Sequence, residues 1–239
     1  MAAKIVIDQR FCGPSNSGQG GYVCGRLGAF IGGAAEVTLR MPPPMGHELT
    51  VVCATDKRLQ LLHEDTLVAD AGAVAFEMDV PNPPTFLEAV SASASYPGFD
   101  HHAFPMCFVC GPKRDEGDGM RIFAGPVPGK EMVASPWIPD ASLAGDDGCL
   151  RPEFIWAALD CPGAMAVVLF HKIRRIMLGK LAVKIEDQVK HGEKCVVTGW
   201  TLGSKGRKLY TGTALFSEDG HLCAKARATW IELKAEKDS

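Results

Sequence analysis

At 239 residues the chain can bury most of its apolar side chains as one large or two small domains. A formal net charge of -3 with 22% charged residues leaves no basic excess for nucleic acid and no acidic tail. No uninterrupted run of about 18 apolar residues exists, and Lys4, Asp8 and Arg10 charge the N-terminal segment, so neither a membrane span nor a signal-peptide core is expected.

The first strand-like run, around Lys4 to Phe11, is followed by a helix over 18–31 with Tyr22, Leu27 and Phe30 among its larger side chains. Its glycines (Gly20, Gly21, Gly25, Gly28) each cost roughly 1 kcal/mol against Ala in a helix interior. Such a helix holds only when other structure covers it, and the glycines permit close backbone approach. Strands follow in EVTLRMPPPMGHELTVV (36–52) and DTLVADAGAVAFEM (65–78), the latter alternating with period two.

Residues 81–106 carry Pro81, Pro83, Pro84, a Ser-Ala run at 91–95 and a short helix signal near 86–90, which is the composition of a linker. Beyond it lies a helix over 152–177, opened by Pro152 at a favourable first position. It is apolar almost all round as far as Phe170 and therefore expected to be buried. Pro162 must kink or interrupt it. Lys172, Arg174 and Arg175 read as a solvated helix face.

The last strands repeat the first ones. AVKIEDQVKHGEKCVVT (182–198) resembles 36–52, with Val183 to Gly192 spaced like Val37 to Gly46. GHLCAKARATWIEL (220–233) matches 65–78, aligning Ala69, Ala71 and Ala73 with Ala224, Ala226 and Ala228. Two matches in the same order indicate an internal repeat. An N-terminal half (1–80) and a C-terminal half (107–239) each read as a strand, a long buried helix and about four antiparallel strands, an α+β fold.

The second half opens CFVCGPKRDEGDGMRIF (107–123). This resembles the opening of hotdog thioesterases of the phenylacetate-degradation type: Cys-Phe-x-Cys-Gly-Pro, a polar turn, then Gly-Leu-x-(Leu/Ile)-x-Phe. Met120 stands in place of the Leu, Phe123 follows Ile122 directly, and Asp115 to Asp118 occupy the turn where the family has Asn-Pro. The resemblance implies a double hotdog, two tandem repeats, each a long helix wrapped by a curved antiparallel sheet. It also implies an acyl thioester substrate, on coenzyme A or an acyl carrier, and a site shared between halves. A chain carrying its own pair of halves is complete as a monomer, while further pairing of faces would give a homodimer.

In that family one half supplies a carboxylate and the other supplies backbone N–H groups at a helix start. Orphan N–H groups and the helix dipole suit an oxyanion, and a carboxylate can act as base or nucleophile. Asp160 fits the first role, an acid in an otherwise apolar helix just before Pro162; the alternative is that it caps the segment restarting there. Gly20 and Gly21, with Asn16 as a side-chain donor, fit the second. Ser17, Gly18, Gln19, Tyr22, Trp156 and Arg114 are the expected substrate contacts.

Cys107 and Cys110, with His101 and His102 upstream, have the elements of a zinc site but not a standard spacing. The pair reads instead as a strand opening, so neither metal nor cofactor is expected. Cys161 is beside Asp160, yet no His is locally placed to activate it. Nine cysteines without a regular framework fit reduced thiols and a cytoplasmic location. Two rivals to thioester hydrolysis remain: a non-catalytic acyl-CoA or lipid binder, and a hotdog hydratase or dehydratase, which the missing Asp-x4-His disfavours.

Overall fold

The computed structural model describes residues 3–54 and 58–234. In chain order they form β1 (Ala3–Val6), α1 (Gly20–Gly28), β2 (Ala35–Leu39), β3 (Glu48–Cys53), β4 (Leu59–His63) and β5 (Thr66–Ala73). Then come α2 (Phe86–Ser93), β6 (Gly125–Pro126), β7 (Met132–Trp137), α3 (Pro152–Ala158) and α4 (Cys161–Ala166). The chain ends with β8 (Ile176–Ile185), β9 (Cys195–Lys205), β10 (Lys208–Ser217) and β11 (Leu222–Glu232).

All eleven strands belong to one antiparallel sheet, in the order β1-β3-β4-β5-β2-β8-β11-β10-β9-β7-β6. The first five strands and β7 to β11 therefore run outward from the β2–β8 pair in mirrored order. Registers agree as well. Val37 faces Ala71 across β2–β5, and Val183 faces Ala226 across β8–β11. Gly46 and Gly192, the spaced glycines, both adopt a left-handed φ, 72° and 77°, a conformation a Cβ disfavours. The join pairs Glu36 with Ala182, the two positions that the sequence alignment equates. Pairing β2 with β8 gives each inner edge a partner that would otherwise be exposed.

The helices differ from the sequence expectation. The helix expected over 18–31 forms only at Gly20–Gly28, and the one expected over 152–177 is broken into α3, α4 and a π-helical turn at Val167–His171. Pro162 has no N–H to donate to the fourth residue back, so the helix stops after Ala158 and restarts at Cys161. Lys172 then ends it in a left-handed conformation, which places Arg174 and Arg175 in a connecting segment and not on a helix face. Taken whole, Pro152–His171 is long and apolar enough to cross a membrane, but 67% of its apolar 18-residue window is buried inside the protein.

Residues 81–106 are not a bare linker. Thr85 and Glu88 cap α2 reciprocally, and its Ala89 and Ala92 pack with Met132, Val196, Trp200 and Phe216 in a core of their own. The main core holds α1 against α3. Gly21, Gly25 and Gly28 form the contact face: a Cβ would stand 2.6 Å from Asp160 Cβ, 2.6 Å from Glu153 Cα and 2.8 Å from the Trp156 ring, respectively. The glycines that cost helix propensity are what let the two helices touch.

Candidate active site

The loop entering α1 is tied at both ends, by Gly18 N–H to Pro43 O at 2.9 Å and Gln19 N–H to Phe11 O at 2.8 Å. Gln19 caps the helix, its Oε1 accepting from Tyr22 N–H at 2.6 Å. That bond fixes the amide orientation and turns its Nε2 toward the second half. Nε2 donates to Asp160 Oδ2, and Gly21 N–H donates to the same oxygen at 2.8 Å. Asp160 makes no side-chain capping bond to α4, so the capping alternative does not describe what its carboxylate does. The carboxylate of one half is held by the helix start of the other.

Asp160 is 4% exposed, and its Oδ1 has no hydrogen-bond partner. Burial is the main force on its pKa and raises it from 3.8 to about 7; Gly21 and Gln19 pull it down, while Cys107 pushes it up. With two donors on Oδ2, Oδ1 is the atom free to carry or accept a proton. A buried carboxylate oxygen without a partner is costly, and a buried acid with a raised pKa is what makes Asp160 the candidate here.

Asp160 lines a cavity of about 510 Å³ together with Ser17, Gly18, Gln19 and Gly20, within the size range of small-molecule sites. Met41, Met165, Val168, Leu178 and Trp230 make the cavity wall largely apolar, and Arg40, Arg174 and Arg175 add cationic groups to its lining. Arg40 Nε is anchored by Asp70 Oδ2 at 2.6 Å. Among the described residues, the Gly20 N–H makes no hydrogen bond within the protein, leaving one donor at the start of α1 open to a ligand.

Several expected contacts lie elsewhere. Asn16 is exposed and outside the cavity. Gly21 is present, but its N–H is committed to Asp160 and cannot also serve an oxyanion. Tyr22 is buried, stacked on Phe11 with ring centroids 4.2 Å apart, its hydroxyl accepting from Arg26. Trp156 is buried beneath Gly28. Arg114 is buried too, bound to Asp118, Arg10 O and Met106 O. Periodicity could not separate helix-packing aromatics from cavity aromatics. The cavity cations Arg174 and Arg175 stand out in the sequence as a cluster, but they follow the helix end at Lys172 and do not lie on the expected helix face.

No family model and no curated protein sequence matches this chain. Solved structures do. A candidate thioesterase from Novosphingobium aromaticivorans is similar over 97% of this chain and 95% of its own, at 13% identity and a TM-score of 0.62. The TesB protein of Mycobacterium avium subspecies paratuberculosis is similar over 92% and 89%, at 12% identity and a TM-score of 0.60. A hotdog-fold protein of unknown function from Alicyclobacillus acidocaldarius is similar over 98% and 96%, at 11% identity and a TM-score of 0.61. At these identities the likeness concerns the fold: the chain has an α+β hotdog fold, shared over nearly its whole length with these three structures.

Proposed function

We propose that the chain is an acyl-CoA thioesterase built from two tandem hotdog repeats, 1–80 and 107–239, with one working site between them. The observation that carries this is the Asp160 carboxylate, reaching from the second repeat onto the α1 start of the first. One of its oxygens is held by Gln19 and Gly21, while the other is buried, unpartnered and beside an apolar cavity. Oδ1 takes a proton from the water that attacks the thioester carbonyl, or attacks that carbonyl itself, forming an acyl anhydride on Asp160 that water hydrolyses after the thiolate has left. The Gly20 N–H and the α1 dipole receive the oxyanion. The C–S bond then breaks, and the thiolate leaves and takes up a proton. The apolar wall suits the acyl chain, and Arg40 and Arg174 suit the phosphates of coenzyme A.

One observation favours the rival reading of a non-catalytic acyl-CoA binder: the Gly21 N–H is spent on the acid, so the oxyanion would have one backbone donor and not two. Asp160→Asn separates the readings. For a thioesterase, kcat falls roughly 10²–10⁴-fold, while a non-hydrolysable acyl-CoA analogue binds within a few-fold of the parent. For a binder, the parent chain itself turns over none of a series of acyl-CoAs of different length.

A further inference from the structure

Cys107, Cys110 and Cys161 are all buried, and their sulfurs lie within 4.8 Å of one another. Cys107 Sγ is 3.5 Å from Cys110 Sγ and 3.9 Å from Cys161 Sγ. Three sulfurs around a tetrahedral zinc, at about 2.3 Å each, stand about 3.8 Å apart. From these distances we infer that Cys107, Cys110 and Cys161 form a three-thiolate site for a zinc ion, pinning the 107–110 turn to the start of α4.

The turn is built for this before any ion arrives. Gly111 closes the turn with its N–H on Cys107 O at 2.9 Å, and a Cβ there would stand 2.5 Å from Cys107 N. From the opposite side the Tyr96 hydroxyl donates to Cys110 O at 3.0 Å. A Cys-x-x-Cys pair held this way offers two sulfurs to one ion, and the break at Pro162 delivers the third.

Binding would release three thiol protons to solvent and leave one net negative charge on three thiolates and Zn²⁺. Donors for that charge are in place. His102 accepts Phe104 N–H on Nδ1 at 2.9 Å, which puts its own proton on Nε2, 3.4 Å from Cys110 Sγ. Gln19 Nε2 is 3.8 Å from Cys161 Sγ. That tautomer makes His102 a donor to sulfur and not the fourth ligand. The three cysteines line the same cavity as Asp160, so the fourth corner is left for water or a cavity ligand.

The test is metal content, independent of any turnover. Protein made without a metal-binding tag, kept reduced and equilibrated with buffered Zn²⁺, should hold one zinc per chain by mass spectrometry of the metal. Cys161→Ser and Cys107→Ser should each lower bound zinc roughly tenfold or more, and Cys149→Ser, outside the cluster, should not. Co²⁺ titration of the unaltered chain covers the case where a variant fails to fold. Intense sulfur-to-cobalt charge-transfer bands, erased by Zn²⁺, are expected. Folded protein without zinc, weak cobalt bands only, undiminished zinc in Cys161→Ser, or a Cys107–Cys110 disulfide persisting under reductant would each overturn the assignment.

Discussion

Gly21 and Asp160 fix one another across the two helices. The Gly21 N–H holds Oδ2 at 2.8 Å, and a Cβ on Gly21 would come within 2.6 Å of Asp160 Cβ. The placement of the acid is thus a consequence of how closely α1 and α3 approach, and that approach depends on the glycine face of α1.

Gly25→Ala tests that dependence away from the acid. Helix propensity alone predicts a gain of roughly 1 kcal/mol. Packing predicts the opposite, because the new Cβ would stand 2.6 Å from Glu153 Cα and 2.8 Å from Trp156 Cβ. Overpacking of this kind costs about 1–3 kcal/mol, so net destabilisation is expected in urea unfolding. Gly32→Ala meets nothing within 4 Å and serves as the control. A Gly25→Ala protein more stable than the parent would mean the helices can part without cost.

Asp70 sets a pH limit on the first half. Burial pushes its pKa up, but hydrogen bonds and charge from Arg40 and Arg58 outweigh that and hold it below 3.8. A folded value below the unfolded one stabilises the protein above the unfolded pKa and loses that contribution as pH falls through the folded value. The Tm difference between the parent and Asp70→Asn should therefore be constant above about pH 5 and shrink below about pH 4. A difference that grew on acidification would contradict the pairing.

Arg174 should act on binding and not on chemistry. It is exposed at the cavity, and an exposed charge contact is worth roughly 0.2–1 kcal/mol. Arg174→Ser should raise the KM for acyl-CoA about 2–5-fold, leave kcat unchanged, and lessen the salt dependence of KM. An unchanged KM with a lowered kcat would place the cation somewhere other than the carrier.

What the sequence made legible follows its periodicities. The paired alanines of β5 and β11 emerged in equivalent registers because period-two patterning specifies which residues face which. Asp160 was legible because a lone acid in an apolar helix is conspicuous. The gathering of Cys161 with Cys107 and Cys110 was not, since 54 residues separate Cys161 from Cys107 and no local spacing links them. The packed α2 is half legible: a short helix signal stands at 86–90, but the Pro- and Ser-rich stretch around it carries no mark of the sheet face that Ala89 and Ala92 cover.

Arg114 shows the same limit in a single residue, and its variant separates two accounts cleanly. Beside the polar turn it reads as a surface cation suited to a phosphate. In the fold it is 6% exposed and holds together segments far apart in the chain, donating to Arg10 O at 2.6 Å, Met106 O at 2.8 Å and Asp118 Oδ2 at 2.7 Å. Arg114→Met fills similar volume but leaves the two carbonyls without these donors. Each loss costs about 1–3 kcal/mol where water cannot replace the donor, and partial access of water keeps the sum to about 2–4 kcal/mol. For a chain of this length that lowers Tm by roughly 5–10 °C. The KM for acyl-CoA, measured well below the new Tm, should not change, because the side chain does not line the cavity. A phosphate-binding Arg114 predicts the reverse: a raised KM that falls into line with the salt dependence, and an unchanged Tm.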